Sequence, residues 1–331
     1  MNTAAGLPLP KLSRGRFVHG LAVEVGQDHI FAWTDEALFN ACGVRIAFTE
    51  RTGGASQPPY DSLNLKVPGY SDTLDEPSSP DKFVTTNRRI LTSALGCEGI
   101  PLISPNQVHK DTVVSVVSSA EASIARAMSE AAAGADAVLV DCTGLAALLC
   151  FADCVPLVFV APTGAFAVVH CGWRGVAIHL AQKAFTQLVS QASYLPEDIN
   201  VYLGAYIHQE CFEVSEDTAA IFVREFGAGV VQESVQELAQ NPEQDQVQNP
   251  ELNPEQVQVQ NPVQNGQGAY HVDLGAALRQ DLIKVGASEN RIADLNICCM
   301  CHDDQFFSYR KSAGVCGRHG AFAFQKDYRG E

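Results

Sequence analysis

The stretch from Cys154 to Gly175 constrains the fold more than any other part of the chain. Val155 to Val160 and Ala165 to Val169 are two apolar β-type runs around Ala161-Pro162-Thr163-Gly164. Such a pattern signals a hairpin. A loop of residues 161–163 sets Cys154 directly opposite His170, with Cβ atoms roughly 5 Å apart, close enough for two ligands of one metal. A two-residue turn shifts the register by one and leaves them diagonal. Pro156 places Cys154 where loop becomes strand. A helix over about Val176 to Ala192 follows, with Leu180, Ala181, Ala184, Phe185, Leu188 and Val189 as its apolar stripe.

Elsewhere apolar runs and turns alternate. Val44 to Thr49, Thr112 to Val117, Ala137 to Val140, Ala146 to Phe151, Asn200 to Leu203 and Ile292 to Cys298 read as strands, as does the end of the chain. Residues 81–96, Glu216 to Phe226 and Leu274 to Val285 read as helices. The order has no regular βαβ rhythm, so an α+β fold with mixed sheets is expected. Residues 1–40 read as an extension leading into a single domain over 41–331.

One segment interrupts that domain. Residues 232–268 are rich in Gln, Asn, Glu and Pro, and Gln-Asn-Pro recurs at 240–242, 248–250 and 260–262. Six acids, no base, no aromatic residue and recurrent prolines predict a disordered insert. Its other reading is a protein-docking segment.

The 331 residues carry a net charge of −16, which argues against nucleic acid as a partner. No run approaches 18 consecutive apolar residues, and residues 1–20 lack an apolar signal core. A cytoplasmic protein that neither spans nor binds a membrane is expected, as a monomer or weak dimer. The eleven cysteines are odd in number, and several sit inside apolar runs. Free thiols or metal ligands fit better than a disulfide framework.

Several residues carry potential chemistry. His170 opens His170-Cys171-Gly172-Trp173-Arg174-Gly175 just before a helix. The glycines allow close backbone approach, and Arg174 with the free N–H groups of a helix start suits an anion. A plain strand–turn–helix junction with a packed tryptophan explains the same residues. His109, in Asn106-Gln107-Val108-His109, is a third candidate ligand. With Cys154 and His170 it makes a set suited to catalytic zinc, the fourth position open to water; alone it reads as a structural hydrogen-bonder. Cys298, Cys299, Cys301 and His302 suggest a second, structural metal, although no further Cys pair stands at zinc-ribbon spacing. Arg51, Arg310, Arg45 and Arg318 are candidate anion holders or ion-pair residues. His19, His29, His179, His208, His271 and His319 read as structural.

Taken in order, these elements resemble the YfiH-like family, whose members have been called laccase-domain proteins, multicopper polyphenol oxidases, peptidoglycan editing factors and purine nucleoside phosphorylases. Phe48-Thr49-Glu50-Arg51-Thr52-Gly53-Gly54 resembles its Phe-Ser-Thr-Arg-x-Gly-Gly element, with Glu50 where a small polar residue is usual. Ser62-Leu63-Asn64-Leu65, Gln107-Val108-His109, Ala135-Asp136-Ala137, Ala152-Asp153-Cys154-Val155-Pro156, residues 170–175, Phe306-Phe307-Ser308-Tyr309-Arg310 and Gly317-Arg318 match further motifs. Departures fall at Ala205, His208 and Phe212 and after Asn64. The resemblance implies an αββα layered sandwich shared with cytotoxic-necrotizing-factor-like hydrolases, with His109, Cys154 and His170 as zinc ligands.

It also implies phosphorolysis of adenosine, inosine, guanosine or methylthioadenosine, and deamination of adenosine. Purine nucleosides and phosphate are then the small-molecule partners. Arg51, Asn64, Arg174 and Arg310 are candidate substrate or phosphate residues, and Asp136 or Asp153 a proton shuttle. Three other readings compete. A cysteine hydrolase or peptidoglycan-editing amidase would use Cys154 as nucleophile and His170 as base, without metal. A copper oxidase needs His-x-His pairs, which this sequence lacks. A non-enzymatic protein would recruit partners through the insert.

Overall fold

The last strand explains the layering. In β15 (His319–Gln325), Ala321 and Ala323 join one buried cluster, while Phe322 and Phe324 join another on the opposite face. A strand covered on both faces must be apolar throughout, and its alternate residues then serve two cores. Each buried phenylalanine contributes about 2–3 kcal/mol from apolar area removed from water.

These relationships come from a computed structural model that describes residues 6–21, 27–69, 79–233 and 270–326. Internal contacts divide the chain into two units, residues 1–208 with 274–331, and residues 209–273.

Among its described residues the larger unit holds two six-stranded sheets. The first runs β1 (Ser13–Val18), β2 (His29–Thr34), β3 (Val44–Thr49), β15, β7 (Ala146–Phe151), β4 (Leu102–Ile103). The second runs β14 (Ile292–Asp294), β10 (Asn200–Leu203), β8 (Val155–Val160), β9 (Phe166–Cys171), β6 (Ala137–Val140), β5 (Val113–Val116). Each sheet mixes parallel and antiparallel pairs. One core, with Phe48, Leu149, Phe151, Val158 and Val168, draws on strands of both sheets. On the outer face of the first sheet, α2 (Val84–Ala94) packs Ile90 and Leu91 against Leu148 and Phe322. On the second, Phe185 of α5 (Leu180–Ala192) meets Phe159 edge-on at 5.4 Å. The layering is α, β, β, α, as the family resemblance implies.

The stretch read as an N-terminal extension supplies β1, β2 and the short helix α1 (Glu36–Cys42), whose cap Asp35 accepts N–H bonds from Leu38 and Lys11. The half-buried alternation of β2 was the available signal. Helix α3 (Glu121–Ala133), also absent from the sequence reading, hides because it buries only Ala127 and Ala131.

Two local expectations need correction. The helix over 176–192 is two helices, α4 (Trp173–Ala177) and α5. His179 breaks them with a left-handed φ of 58° and hydrogen-bonds through Nδ1 to buried Asp281 at 2.9 Å. The strand expected over 292–298 ends at Asp294, because Asn296 is left-handed and its N–H turns back to Asp294 Oδ1.

Among its described residues the smaller unit forms a three-stranded antiparallel sheet of β11 (Glu213–Val214), β13 (Tyr270–Val272) and β12 (Val231–Glu233), with α6 (Glu216–Phe226). Ser215 caps α6, and Phe222 and Phe226 are buried. Residues 234–269, nearly all of the Gln/Asn/Pro/Glu-rich segment, lie outside the described residues. Helix α7 (Leu274–Lys284) belongs to the larger unit. Among the described residues no helix is long and apolar enough to cross a membrane.

Candidate metal centre

The β8–β9 hairpin carries two of the three candidate ligands, but not in the expected register. Gly164 takes φ 89° and its N–H donates to Ala161, so the loop is residues 162–164. Pro156 therefore faces His170, and Val155 faces Cys171. Cys154 stands one step beyond on the same face as Pro156, diagonal to His170 rather than opposite it. Diagonal neighbours remain within reach of convergent side chains.

His109 arrives from a loop. The Gln107 amide clamps that loop to β7: Nε2 donates to the Cys150 carbonyl at 2.8 Å, and Oε1 accepts the Cys150 N–H at 2.9 Å. His109 itself is left-handed, φ 58°. The buried carboxylate of Asp136 accepts the N–H groups on either side of it, Val108 at 3.2 Å and Lys110 at 2.8 Å. One nitrogen or sulfur from each of His109, Cys154 and His170 lies within 4.8 Å of the others. Cys154 Sγ is 4.0 Å from His109 Nε2.

Gly172 makes this convergence possible. A Cβ there would stand 2.9 Å from Cys154 Sγ and 2.9 Å from His109 Cδ2. Only glycine leaves that space open. The close backbone approach expected of this motif is thus an approach to the ligands themselves.

Asp136 also sets the electrostatics. Its Oδ1 accepts from His170 Nδ1 at 2.8 Å, which fixes the tautomer and leaves Nε2 for a ligand. Burial works to raise the Asp136 carboxyl, but the bonds from His170 and the backbone outweigh it and hold it below its ordinary value. Burial likewise opposes ionisation of Cys154, yet the His170 charge and bonds from both imidazoles bring the thiol down to about 6. His170 moves the opposite way: burial lowers it, and Cys154 with Asp136 carries it up to about 9. These opposite shifts favour a thiolate beside an imidazolium near neutral pH when no metal is bound.

The donor set fits a metal ion by its chemistry: two imidazoles, one thiolate, one ligand oriented by a carboxylate, and a glycine cradle. A family model described as multi-copper polyphenol oxidoreductase laccase matches residues 45–326. The chain belongs to this YfiH-like family. A purine nucleoside phosphorylase of Deinococcus radiodurans is 30% identical over 274 residues, 82% of this chain and 85% of that protein. The purine nucleoside phosphorylase YlmD of Geobacillus stearothermophilus is 29% identical over 286 residues, 86% of this chain and 91% of its own. The crystal structure of YlmD from that organism matches with a TM-score of 0.67 at 25% identity, covering 94% of this chain and all of that one. A Bacillus licheniformis protein titled YfiH shares the fold, with a TM-score of 0.69 at 23% identity over 90% and 96% of the two chains.

Within this family frame, the remaining candidates take different places. Asn64 is fully buried; its Nδ2 donates to Asp81 Oδ2 and its Oδ1 accepts from Arg318 N. Arg51 stacks on Phe307 and donates to the carbonyls of Asp61 and Asp303. Both hold loops together. Asp153, left-handed at φ 87°, accepts from Ser308 Oγ at 2.6 Å, Cys299 Sγ at 3.1 Å and Arg310 N at 2.7 Å. Asp136 and Asp153, the two expected proton shuttles, both have their carboxylates occupied by internal donors. Arg174 is exposed, its guanidinium 4.3 Å over the Trp173 ring. Of the Cys298–His302 cluster, Cys299 turns to Asp153 and His302 Nδ1 bonds the Cys298 carbonyl, whereas the sulfurs of Cys298 and Cys301 lie within 4.8 Å of each other.

The family departure at Glu50 has a local counterpart. Glu50 is 1% exposed, and Arg14 of β1 grips it at 2.6 and 2.8 Å while stacking on Phe31. Sequence reading missed Gln107 and Ser308 as positioning residues, and it assigned the close approach at Gly172 to an anion rather than to the ligands. Their motif neighbours were the available signal.

Proposed function

We propose that this protein is a zinc-dependent purine nucleoside enzyme. It phosphorolyses adenosine, inosine, guanosine or methylthioadenosine to base and (methylthio)ribose 1-phosphate, and deaminates adenosine to inosine. The observation that carries this reading is the His109–Cys154–His170 trio, locked by Asp136 and Gly172, in a chain whose relatives are named purine nucleoside phosphorylases. Three protein ligands with a fourth position free is the catalytic zinc arrangement. Multicopper sites use His-x-His pairs, and the sequence contains none.

Zinc held by these three residues would supply a Lewis acid at the reacting group. The protein's own residues do the rest. Asp136 keeps His170 in the tautomer that presents Nε2. Gln107 and Asp136 together fix His109. Arg174 and Arg310 offer positive charge to phosphate, whose oxygen attacks the anomeric carbon as the glycosidic C–N bond breaks and the base takes up a proton. With Asp136 and Asp153 both engaged, their part is positioning.

A second reading has one specific observation behind it. Without metal, the Cys154 thiol at about 6 beside a raised His170 is a competent nucleophile–base pair. A cysteine hydrolase or amidase would use the same atoms. A zinc-bound thiolate is not free to attack acyl carbon, so metal content separates the two.

The test incubates purified protein of known metal content with adenosine, with and without phosphate, and separates products by chromatography. Phosphate-dependent adenine or hypoxanthine supports phosphorolysis, and inosine supports the deaminase activity. No product from any purine nucleoside, with zinc bound, contradicts the proposal.

A further inference from the structure

The turn before Cys154 and the loop after Cys298 meet at a single carboxylate. Asp153 Oδ1 accepts the hydroxyl of Ser308 and the thiol of Cys299, and Oδ2 accepts the backbone N–H of Arg310. Its main-chain carbonyl accepts the N–H of Ile207, at the exit from β10. Ser308 is 3% exposed and Cys299 fully buried, so these bonds lie in the interior, where an unmade one is costly. Arg51 also holds the same loop, through the Asp303 and Gln305 carbonyls. Asp153 also keeps a left-handed backbone, which aspartate and asparagine tolerate better than most residues.

We infer that Asp153 is a positioning residue: it fixes the turn bearing Cys154 against the loop of residues 299–312, and so sets where Arg310 stands relative to the metal trio. Its neighbour in sequence is a candidate metal ligand, and its partner in space is a candidate phosphate holder. One carboxylate thereby keys the two halves of the site to each other. A proton shuttle needs a free oxygen within reach of the substrate, whereas both oxygens of Asp153 are engaged.

The kinetic part of the test rests on the phosphorolysis reading; the structural part does not. Asp153→Asn keeps the left-handed turn and one acceptor oxygen, but its NH2 must face either the Arg310 N–H or the Ser308 and Cys299 donors. Asp153→Gly keeps the turn and removes the carboxylate. Ser308→Ala removes one donor from the opposite side. In full-length zinc-loaded protein, Asp153→Asn is expected to raise KM for phosphate about tenfold, as the loss of about one hydrogen bond to phosphate would. Its kcat, its pH–rate profile and its zinc content stay at parental values. Hydrogen exchange over residues 303–312 is expected to quicken in Asp153→Asn and Asp153→Gly, and less in Ser308→Ala.

Two results overturn the inference. One is a fall in kcat with loss of a limb of the pH–rate profile at unchanged KM, which marks a shuttle. The other is parental exchange over 303–312 in both Asp153 variants, whatever the kinetics. If the parent protein turns over no purine nucleoside, the functional reading fails and the exchange result alone decides the role of Asp153.

Discussion

His170 Nδ1 and Asp136 Oδ1 lie 2.8 Å apart, and the other oxygen of the same carboxylate holds the backbone on both sides of His109. Two candidate ligands from distant parts of the chain are thus oriented by one buried acid.

Asp136→Asn tests that arrangement. Asparagine keeps the shape but removes the charge, and its amide NH2 opposes whichever donors it faces. Metal affinity is expected to fall about 10–100-fold, read by competition with a coloured chelator. Parental affinity would contradict the role given to Asp136.

Gly172→Ala probes the cradle. The added methyl would stand 2.9 Å from both Cys154 Sγ and His109 Cδ2, so the ligands must separate. Thermal unfolding without metal should change little, while the stabilisation gained on adding zinc should shrink. An unchanged zinc-dependent shift in Tm would show that the trio does not need this space.

Much of this architecture was legible in the sequence, for definite reasons. The apolar runs of β7, β8 and β9 are long and bounded by turn residues, so both the strands and the hairpin stood out. The register did not, because it depends on which residue takes the left-handed position, and Gly164 shifted the loop by one residue. Helix α3 was hidden because alanines make no strong stripe. Chemistry alone nominated His109, Cys154 and His170. The distinction between shuttle and anchor at Asp136 and Asp153 needed the donors around them, which come from residues up to 157 positions away.

The Arg14–Glu50 pair gives a stability prediction. Arg14→Ala leaves a carboxylate that is 1% exposed without its bidentate partner. Because Arg14 itself is partly exposed, the expected loss is about 2 kcal/mol, the range for an unmade bond to a buried group. Urea unfolding reads it. Adding Glu50→Ser should restore most of the loss; no restoration would mean that Arg14 acts through Phe31 alone.

The thiol gives a pH prediction. In protein stripped of metal, Cys154 is expected to be a thiolate above about pH 6 and a thiol below it. Alkylation by iodoacetamide, mapped to Cys154 by mass spectrometry, should hold its rate down to near pH 6 and fall below. An ordinary thiol would lose reactivity already below about pH 8.5. Zinc should protect Cys154 across the range.

The most direct measurement titrates zinc into chelator-stripped protein and follows phosphate-dependent release of hypoxanthine from inosine. Activity is expected to rise in proportion to zinc and to level off at about one ion per chain, the stoichiometry of a single three-ligand site. Full turnover by the metal-free protein, or none at any zinc content, would contradict a zinc-dependent phosphorylase built on His109, Cys154 and His170.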